Sequence, residues 1–418
     1  MTRSSGSPAA GADGAEASAH STNSAPGRVE LGVGDLELAG VLDGRRAFVG
    51  PEQVVIDLTN RCNNNCIGCW TRSPLLRDLE PSPTWQSMEI PFDSVIHLLN
   101  DLCDLGTRRV RFTGGGEPLM HAGLDEILRA CKQRQLVTCI TTNGSLLNEE
   151  RVELYTQLPV DEIAVSLWAA SPQTYSRTHP NKTSRTFDRI ERNLAALGRK
   201  KKLRPHITLS SVLMAMNFRE AERMYDFARH VSAEAVYYAV LDPVGDRTEG
   251  LMLRPEHVDE LNVLLDRVER RNASLPSRQQ LVLENWAGFR RRVSSIKQQQ
   301  RGEYDASVID EIPCYVGWIF CRIVANGDVA PCCRGVNMPL GNINTDGFMK
   351  VWHSERYAEF RENALTLSKR DPYFAPIGCH MTCDNLMHNE VVHRRLAKLA
   401  HERRRMIEVF VTQQEETR

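Results

Sequence analysis

The feature that most constrains the fold of this chain is a regular alternation of short β-branched runs with longer amphipathic stretches. From Glu52 onward, runs rich in Val, Ile and Thr alternate with segments such as SVIHLLNDLCDLG (94–106), whose apolar residues recur every three to four positions. This alternation predicts βα units around a parallel sheet. The predicted strands are 54–59, 108–114, 136–142, 162–168, 206–213 and 235–241. We therefore expect an α/β fold built on a partial (βα)6 TIM barrel.

The rest of the chain divides by composition. The first 28 residues are mostly Ser, Ala and Gly, which cannot bury enough apolar surface to order themselves. The stretch after the barrel is charged and helical, and later residues return to short runs with Gly and Asn turns. The predicted organisation is a disordered tail (1–28), a lead-in segment (29–50), the barrel (51–245), a helical connector (246–310), a small α+β domain (311–385) and a C-terminal helix (386–418).

Charge and cysteine content exclude several classes of protein. A net charge of -1, from 52 basic and 53 acidic residues, gives no field to attract nucleic acid or an anionic membrane. No run approaches the roughly 18 apolar residues of a spanning helix, and the N-terminus lacks the apolar centre of a secretory signal. We expect a cytoplasmic protein, with neither nucleic acid nor membrane as partner. Its 12 cysteines then favour metal binding or catalysis over disulfides.

Motifs that carry chemistry follow the ends of the first four predicted strands. They are CNNNCIGC (62–69), GGGEP (114–118), TTNG (141–144) and SLWA (166–169). In a βα barrel the chemistry lies on the loops after the carboxyl ends of the strands. All four motifs should therefore meet at one mouth of the barrel.

The first motif supplies three thiols, Cys62, Cys66 and Cys69. Sulfur ligands suit zinc or iron–sulfur clusters. A closed tetrahedral site uses four protein ligands, whereas three leave one coordination position open. Three cysteines on one short loop can therefore bind three irons of a four-iron, four-sulfur cluster and leave the fourth iron open. A zinc site completed by a distant ligand is the alternative.

The CxxxCxxC spacing after the first strand resembles the signature of the radical S-adenosylmethionine (radical SAM) enzymes, and the resemblance covers residues 51–245. It implies a 4Fe-4S cluster whose open iron binds the amino and carboxylate groups of S-adenosylmethionine (SAM). It further implies that reduction of the cluster releases a deoxyadenosyl radical. An electron donor such as flavodoxin or ferredoxin is the implied protein partner.

The resemblance also implies a set of SAM-binding residues. GGGEP matches the GGE motif of the family, in which glycines admit the methionine end of the cofactor and the glutamate pairs with its ammonium group. For the other positions, a turn, a cap or a solvated helix face is the alternative reading. The implied residues are Gly115, Gly116, Glu117, Asn143, Ser166, Arg177 and Asn217.

One position departs from the family pattern. Many members carry an aromatic residue immediately before the third cysteine, close to adenine. Here that position is Gly68, and the aromatic residue is Trp70, one position after the motif. The resemblance therefore does not assign the adenine contacts.

A second group of cysteines lies near the C-terminus. Four thiolates make a closed site. The segment 311–385, which includes PCYVGW and GCHMTC, resembles the SPASM or Twitch extension of radical SAM enzymes. The resemblance implies one auxiliary 4Fe-4S cluster, with zinc in the same site as the alternative. The implied ligands are Cys314, Cys332, Cys379 and Cys383.

The remaining cysteines are expected to be non-ligands, although the neighbours Cys332 and Cys333 could exchange roles. In related epimerases a free cysteine near the auxiliary cluster returns a hydrogen atom to the substrate, which makes Cys333 and Cys321 the candidate catalytic donors. Cys103, Cys131 and Cys139 fall on predicted helices or a strand, where cysteine usually behaves as a small buried apolar residue.

The expected activity is that of a radical SAM oxidoreductase or epimerase. The chain resembles sugar and aminocyclitol dehydrogenases and epimerases of natural-product pathways, which implies hydrogen abstraction from a sugar or cyclitol-like small molecule. A SPASM-type enzyme that matures ribosomal peptides is the alternative, disfavoured because only a tail and a short lead-in precede the barrel. A zinc-binding interaction protein is the alternative from another class. The candidate bases, which the sequence does not rank, are His179, Asp242, Asp246 and Glu284.

Overall fold

The computed structural model describes residues 31–158, 160–297 and 301–416. The tail expected at 1–28 lies outside the described residues. The strands are β1 Gln53–Asp57, β2 Arg109–Thr113, β3 Val137–Thr142, β4 Glu162–Ser166, β5 His206–Leu213, β6 Ala235–Val240, β7 Val282–Glu284, β8 Phe320–Ile323 and β9 Val329–Ala330.

The α-helices are α1 Val33–Asp43, α2 Pro83–Ser87, α3 Phe92–Asp104, α4 Leu124–Gln133, α5 Glu149–Gln157, α6 Pro172–Thr178, α7 Ser184–Lys200, α8 Ala221–His230, α9 Pro255–Ala273, α10 Trp286–Ser295, α11 Val316–Ile319, α12 Ile343–Asp346, α13 Phe348–Trp352, α14 Glu355–Thr366, α15 Leu386–Ala397 and α16 His401–Glu416. Short 3-10 helices lie at Arg77–Leu79, Pro118–Met120, Phe218–Glu220, Glu249–Leu251, Ser277–Gln279, Gly335–Asn337 and Pro372–Phe374. Within the described residues, no helix combines the length and apolarity needed to span a lipid bilayer.

One sheet contains all of these strands, in the order β7-β6-β5-β4-β3-β2-β1-β8-β9. Every pair is parallel except β8 with β9. The six predicted strands are all present, and the α/β class with a partial TIM barrel is confirmed. β7 lies in the segment that was expected to be helical, because a three-residue strand is too short to show a period of two. β8 comes from the C-terminal region and extends the barrel sheet beside β1.

The two faces of the sheet differ in polarity. On the outer face, Val54, Val110 and Ile140 are fully buried under the helices. On the inner face, Arg111 pairs in register with Cys139, which pairs in turn with Glu162. The interior of this barrel is therefore lined by charged and polar side chains instead of the branched apolar layers that fill a closed barrel.

The sheet curls enough for distant strands to meet across the interior. Burial, and then the charge of Glu162, raises the pKa of Glu284 on β7, and Arg111 on β2 opposes that rise. Four strands separate β2 from β7 in the sheet. Side chains from opposite ends of the barrel sheet therefore share one interior space.

The lead-in and C-terminal segments pack on each other. The indole nitrogens of Trp318 and Trp352 donate to the carbonyl oxygens of Arg46 (2.8 Å) and Val49 (2.9 Å). The single helix predicted for 386–418 is instead two helices, α15 and α16, which meet at 398–400. An ion pair between Arg395 of α15 and Glu37 of α1 connects the C-terminal helices to the lead-in segment.

Candidate active site

The three cysteines of the first motif lie on the loop between β1 and α2, with their thiols facing one another. Burial, followed by the neighbouring thiolates of Cys69 and Cys62, raises the pKa of Cys66 well above its usual value. Burial is also the largest cause that raises the pKa of Cys62 to about 11. Backbone N–H groups of Asn64 and Thr71 point at the sulfurs of Cys62 (3.4 Å) and Cys69 (3.5 Å). Three converging thiols with N–H donors to sulfur suit an iron–sulfur cluster.

The glycines of GGGEP permit close contact between two loops. A Cβ at Gly116 would overlap the carbonyl oxygen of Arg61, and one at Gly115 would overlap the side chain of Asn60. The amide of Glu117 donates to the same carbonyl of Arg61 at 2.8 Å. These two glycines therefore let the end of β2 pack directly against the residues that precede Cys62, in addition to any approach of the cofactor.

Glu117 is buried, only 2% exposed, and close enough to Cys62 for its charge to act on that thiol. Its carboxylate accepts hydrogen bonds from Thr142 Oγ1 (2.6 Å), the Leu119 amide (3.1 Å) and the Asn143 amide (2.7 Å). Burial raises the pKa of Glu117, and these donors oppose the rise. A carboxylate has about four acceptor positions, so one further donor, such as an ammonium group, can still bind.

The other residues implied by the family resemblance have different surroundings. Asn143 donates to Asn63 Oδ1 in the cysteine loop (2.9 Å), and Ser166 accepts from Trp168 Nε1 (2.9 Å) at the end of β4. The side chain of Asn217 instead accepts from the backbone amide of Met214 and donates to the carbonyl oxygens of Trp168 and Val212. These bonds match the turn alternative. Arg177 is exposed on α6, as the solvated alternative predicts.

The four cysteines implied as auxiliary ligands converge around one cavity. Cys314, Cys332, Cys379 and Cys383 all line it. Burial is the largest cause that raises the pKa values of all four thiols, and for Cys332, Cys379 and Cys383 the charges of neighbouring thiolates add to it. The arrangement is a closed set of four soft ligands.

The donors around this cavity fit a sulfur-rich cluster. Asn385 Nδ2 and Thr382 Oγ1 line the cavity and have no hydrogen-bond partner among the described residues. Asn389 Nδ2 points at the Cys314 sulfur from 3.8 Å. Hydrogen bonds to the sulfurs tune such clusters. Across the described ranges, no three Cys, His, Asp or Glu side chains are arranged around a single metal ion.

Cys333 and Cys332 are neighbours, but their thiols have different surroundings. Burial raises the pKa of Cys333 to about 12, and the charges that act on it belong to Asp384, Arg322 and Asp57. Asp57 ends β1 on the inner face, so this thiol lies towards the barrel interior. Cys321 is fully buried on the outer face of β8, beside Val54 of β1.

Cys139 is not the small apolar residue that its strand position suggested. It is fully buried, but its thiol donates to Glu162 Oε2 at 2.7 Å on the inner face of the sheet. Glu162 also accepts from Arg111 Nη2 at 3.0 and 3.2 Å. The strand RVRFT alternates polar and apolar side chains, and this alternation was the signal that could have located the polar interior.

A polar connection joins the mouth of the barrel to the four-thiol cavity. Trp70, just after the third cysteine, donates from Nε1 to the carbonyl oxygen of Asp242 at 3.1 Å. The Asp242 carboxylate forms an ion pair with Arg334, whose guanidinium lies 6.0 Å from the centre of the Trp70 ring. Arg334 also lines the four-thiol cavity. Sequence reasoning missed Arg334, whose only signal was its position beside Cys332 and Cys333.

The four candidate bases lie in different surroundings. His179 is 1% exposed and stacks on Tyr175 with ring centres 4.3 Å apart; burial lowers its pKa to about 4. Asp246 is exposed and Asp242 is in the ion pair with Arg334. Glu284 lies on the inner face of the barrel.

Comparison with known proteins agrees with this geometry. The Radical SAM superfamily model matches residues 56–228, and the SPASM model, an iron-sulfur cluster-binding domain, matches 314–384. An AdoMet-dependent heme synthase of Methanosarcina barkeri is 24% identical over 77% of this chain and 85% of its own. The PqqA peptide cyclase of Granulibacter bethesdensis is 24% identical over 68% of this chain and 67% of its own.

Solved structures share the fold. Streptococcus suis SuiB bound to its precursor peptide SuiA superposes with a TM-score of 0.57 at 18% identity, over 84% of this chain and 74% of SuiB. The two matched domains imply SAM, a 4Fe-4S cluster and auxiliary iron–sulfur binding as the cofactors. The chain therefore carries a radical SAM domain followed by a SPASM iron–sulfur domain.

Proposed function

We propose that this protein is a peptide-modifying radical SAM enzyme that removes a hydrogen atom from a carbon of a peptide residue held inside the barrel. A peptide cyclase is among the relatives, aligned over 68% of this chain, and a peptide-bound enzyme is among the structures with the same fold. These relatives favour a peptide over the sugar or cyclitol expected from the sequence, and maturation of a ribosomal peptide is the corresponding process.

The observation that carries the proposed radical chemistry is the position of two clusters of cysteines, one of three and one of four, around one polar interior. Cys62, Cys66 and Cys69 lie at the mouth, and the four-thiol cavity is joined to that mouth through Arg334 and Asp242. A substrate in the interior would lie between the two groups. Such an arrangement allows abstraction on one side and transfer of an electron or a hydrogen atom on the other.

Each residue has a distinct task in this proposal. With SAM bound, a cluster held at the mouth would supply a deoxyadenosyl radical, and a donor such as flavodoxin or ferredoxin would supply the electron. The three thiols at the mouth hold that cluster, and Glu117 accepts a hydrogen bond from the ammonium group of SAM. Trp70, which is 46% exposed, covers the side of the mouth next to Asp242. The four thiols of the SPASM domain hold the auxiliary cluster.

The fate of the substrate radical depends on the groups on the far side of the interior. Cys333 is our candidate hydrogen-atom donor, because its thiol lies near Asp57 and Arg322 on the inner face. A donated hydrogen atom would give inversion at the carbon, whereas loss of an electron would give an oxidised or crosslinked product. Cys321 is left out of the proposal, because the sheet separates its thiol from the interior.

Anaerobically purified protein with reductant, SAM and a pool of synthetic peptides tests the proposal. We expect deoxyadenosine to form faster with the peptides than without them, and some peptides to change in mass or to take up solvent deuterium. Cys66→Ala should form none, because it removes a thiol at the mouth. If glucosamine or another sugar stimulates deoxyadenosine formation while no peptide does, the peptide assignment is wrong.

A further inference from the structure

Asp57 has a buried carboxylate oxygen with no partner. Arg322 donates from Nε (3.0 Å) and from Nη2 (2.7 Å), but both bonds go to Oδ2. Oδ1 has no hydrogen-bond partner among the described residues, and the side chain is only 3% exposed. Leaving a buried acceptor unsatisfied costs about 1–3 kcal/mol, and more for a charged group. Buried polar atoms in folded proteins are nearly always satisfied, so this oxygen calls for a partner, which a water, an ion or a ligand group could supply.

Asp57 is connected to both groups of cysteines. Asp57 ends β1, from which the chain enters the loop of Cys62. Its partner Arg322 donates from Nη1 to the carbonyl oxygen of Cys333 at 2.7 Å, next to the auxiliary ligand Cys332. Asp57 therefore lies between the two thiol groups, on the inner face of the barrel.

The interior also carries a carboxylate, Glu284, that forms no ion pair among the described residues, although the charge of Arg111 acts on it. Arg111 binds Glu162, whereas among the described residues Glu284 accepts only from Thr208 Oγ1 at 3.1 Å. Within the described part of the chain, no Lys, Arg or His forms an ion pair with Glu284. A cation that enters the barrel could therefore donate a charge-assisted hydrogen bond to the carboxylate of Glu284.

We propose that Asp57 is a positioning residue whose free oxygen accepts a hydrogen bond from an N–H group of the substrate, and that Asp57 and Glu284 together select a basic peptide side chain, lysine or arginine. This inference rests on the proposed peptide substrate and adds its chemical class. The ammonium or guanidinium group would lie among the inner-face acids, while the backbone of the same residue would lie nearer the mouth.

The inference can be tested by binding alone, without turnover. Full-length protein with both clusters and SAM is dialysed to equilibrium against equimolar acetyl-Gly-Ala-X-Ala-Gly-amide peptides, where X is lysine, arginine, norleucine, glutamine or glutamate, and retention is measured by mass spectrometry. We expect the lysine or arginine peptide to be retained about tenfold more than the norleucine peptide, a difference of about 1.4 kcal/mol. Norleucine keeps the length of lysine and removes its charge.

Variants separate the role of Asp57 from a structural one. Asp57→Asn and Glu284→Gln should each reduce the preference for a basic side chain to about twofold or less. Glu260→Gln, on an exposed ion pair with Arg219, should leave the preference unchanged. Because Asp57→Asn also disturbs Arg322, iron content and melting temperature are measured in parallel. If Asp57→Asn loses iron, Glu284→Gln, which breaks no ion pair, decides the outcome.

The outcomes distinguish this inference from the proposed function. Equal retention of the lysine, arginine and norleucine peptides, including no retention of any, overturns the inference, as does a preference that survives in Asp57→Asn and Glu284→Gln. Peptide-dependent deoxyadenosine formation without a charge preference leaves the proposed function standing and removes the inference. A further outcome is that the protein retains glucosamine but neither glucose nor any peptide, and that Glu284→Gln loses this retention. That outcome would support a cation site and overturn the peptide substrate.

Discussion

Arg334 forms an ion pair with Asp242 that joins the C-terminal cysteine region to the end of β6. The side chains are 17% and 19% exposed, so water screens the pair only in part. Burial raises the pKa of Asp242, and Arg334 opposes that rise. Since Arg334 also lines the four-thiol cavity, this pair connects the auxiliary site with the mouth.

Arg334→Ala should lower the melting temperature by several degrees. The substitution leaves the Asp242 carboxylate without its charged partner, and loss of a hydrogen bond to a charged group costs about 1.5–3 kcal/mol. The double reversal Asp242→Arg with Arg334→Asp should recover part of the loss. Arg219→Ala is the control, because its pair with Glu260 is exposed and such pairs contribute little. Equal melting temperatures for Arg334→Ala and Arg219→Ala would contradict this role.

Cys332→Ala and Cys333→Ala should differ in iron content, although the two residues are adjacent. Only Cys332 lines the four-thiol cavity. Its removal should reduce bound iron and acid-labile sulfide by up to about four per chain, the content of one cluster. Cys333→Ala should keep the full content, since its thiol lies towards Asp57 and Arg322. The opposite pattern in iron and sulfide assays would show that the neighbours have exchanged roles.

Gly116→Ala should disrupt the cluster at the mouth while leaving the rest of the fold intact. A Cβ there would overlap the carbonyl oxygen of Arg61, which lies directly before Cys62, so the cysteine loop must shift. We expect reduced iron content and loss of the SAM-dependent change in the electron paramagnetic resonance spectrum. Gly250→Ala is the matched control, because a Cβ there meets nothing within 4 Å. Wild-type spectra for Gly116→Ala would refute the packing argument.

His179 should make stability fall at mildly acidic pH. Burial is the main cause that lowers its pKa from 6.5 to about 4 in the folded protein. The unfolded chain therefore binds a proton more readily, and this contribution to stability is complete above pH 6.5 and is lost as the pH falls towards 4. At pH 5 the loss is about 2 kcal/mol.

The effect is measured as the difference in melting temperature between pH 7.5 and pH 5. His179→Gln, which cannot titrate in this range, should show a smaller drop than the wild type. Acid sensitivity of the clusters is common to both proteins and cancels in the comparison. Identical drops would mean that His179 becomes protonated in the folded state as easily as in the unfolded state.

The sequence predicted the barrel well because its signals are local. Each of the six strands and most of the intervening helices has its own period of apolar residues, which neighbouring segments do not alter. The short strand β7 was not predicted, because three residues carry no clear period. Short strands were expected in the region of β8, but its pairing with β1 was not, because that pairing depends on a remote segment.

Individual site residues were harder to predict. Asn217 and Arg177 matched family positions, yet Asn217 ties backbone groups together and Arg177 is exposed. Arg334 and Arg322 were missed, because the acids that pair with them come from remote segments. A side chain's partner depends on where the backbone places it, and residue type alone does not reveal this.

By itself the sequence determined the order of βα units, the two cysteine groups and hence the resemblance to radical SAM enzymes, because periodicity and ligand spacing act over a few neighbouring residues. Only the tertiary structure decided that β8 joins β1, that Cys332 and not Cys333 lines the four-thiol cavity, and that Asp57 keeps a free oxygen in the interior. These features depend on contacts between segments far apart in the chain, and the packing of the whole molecule sets those contacts.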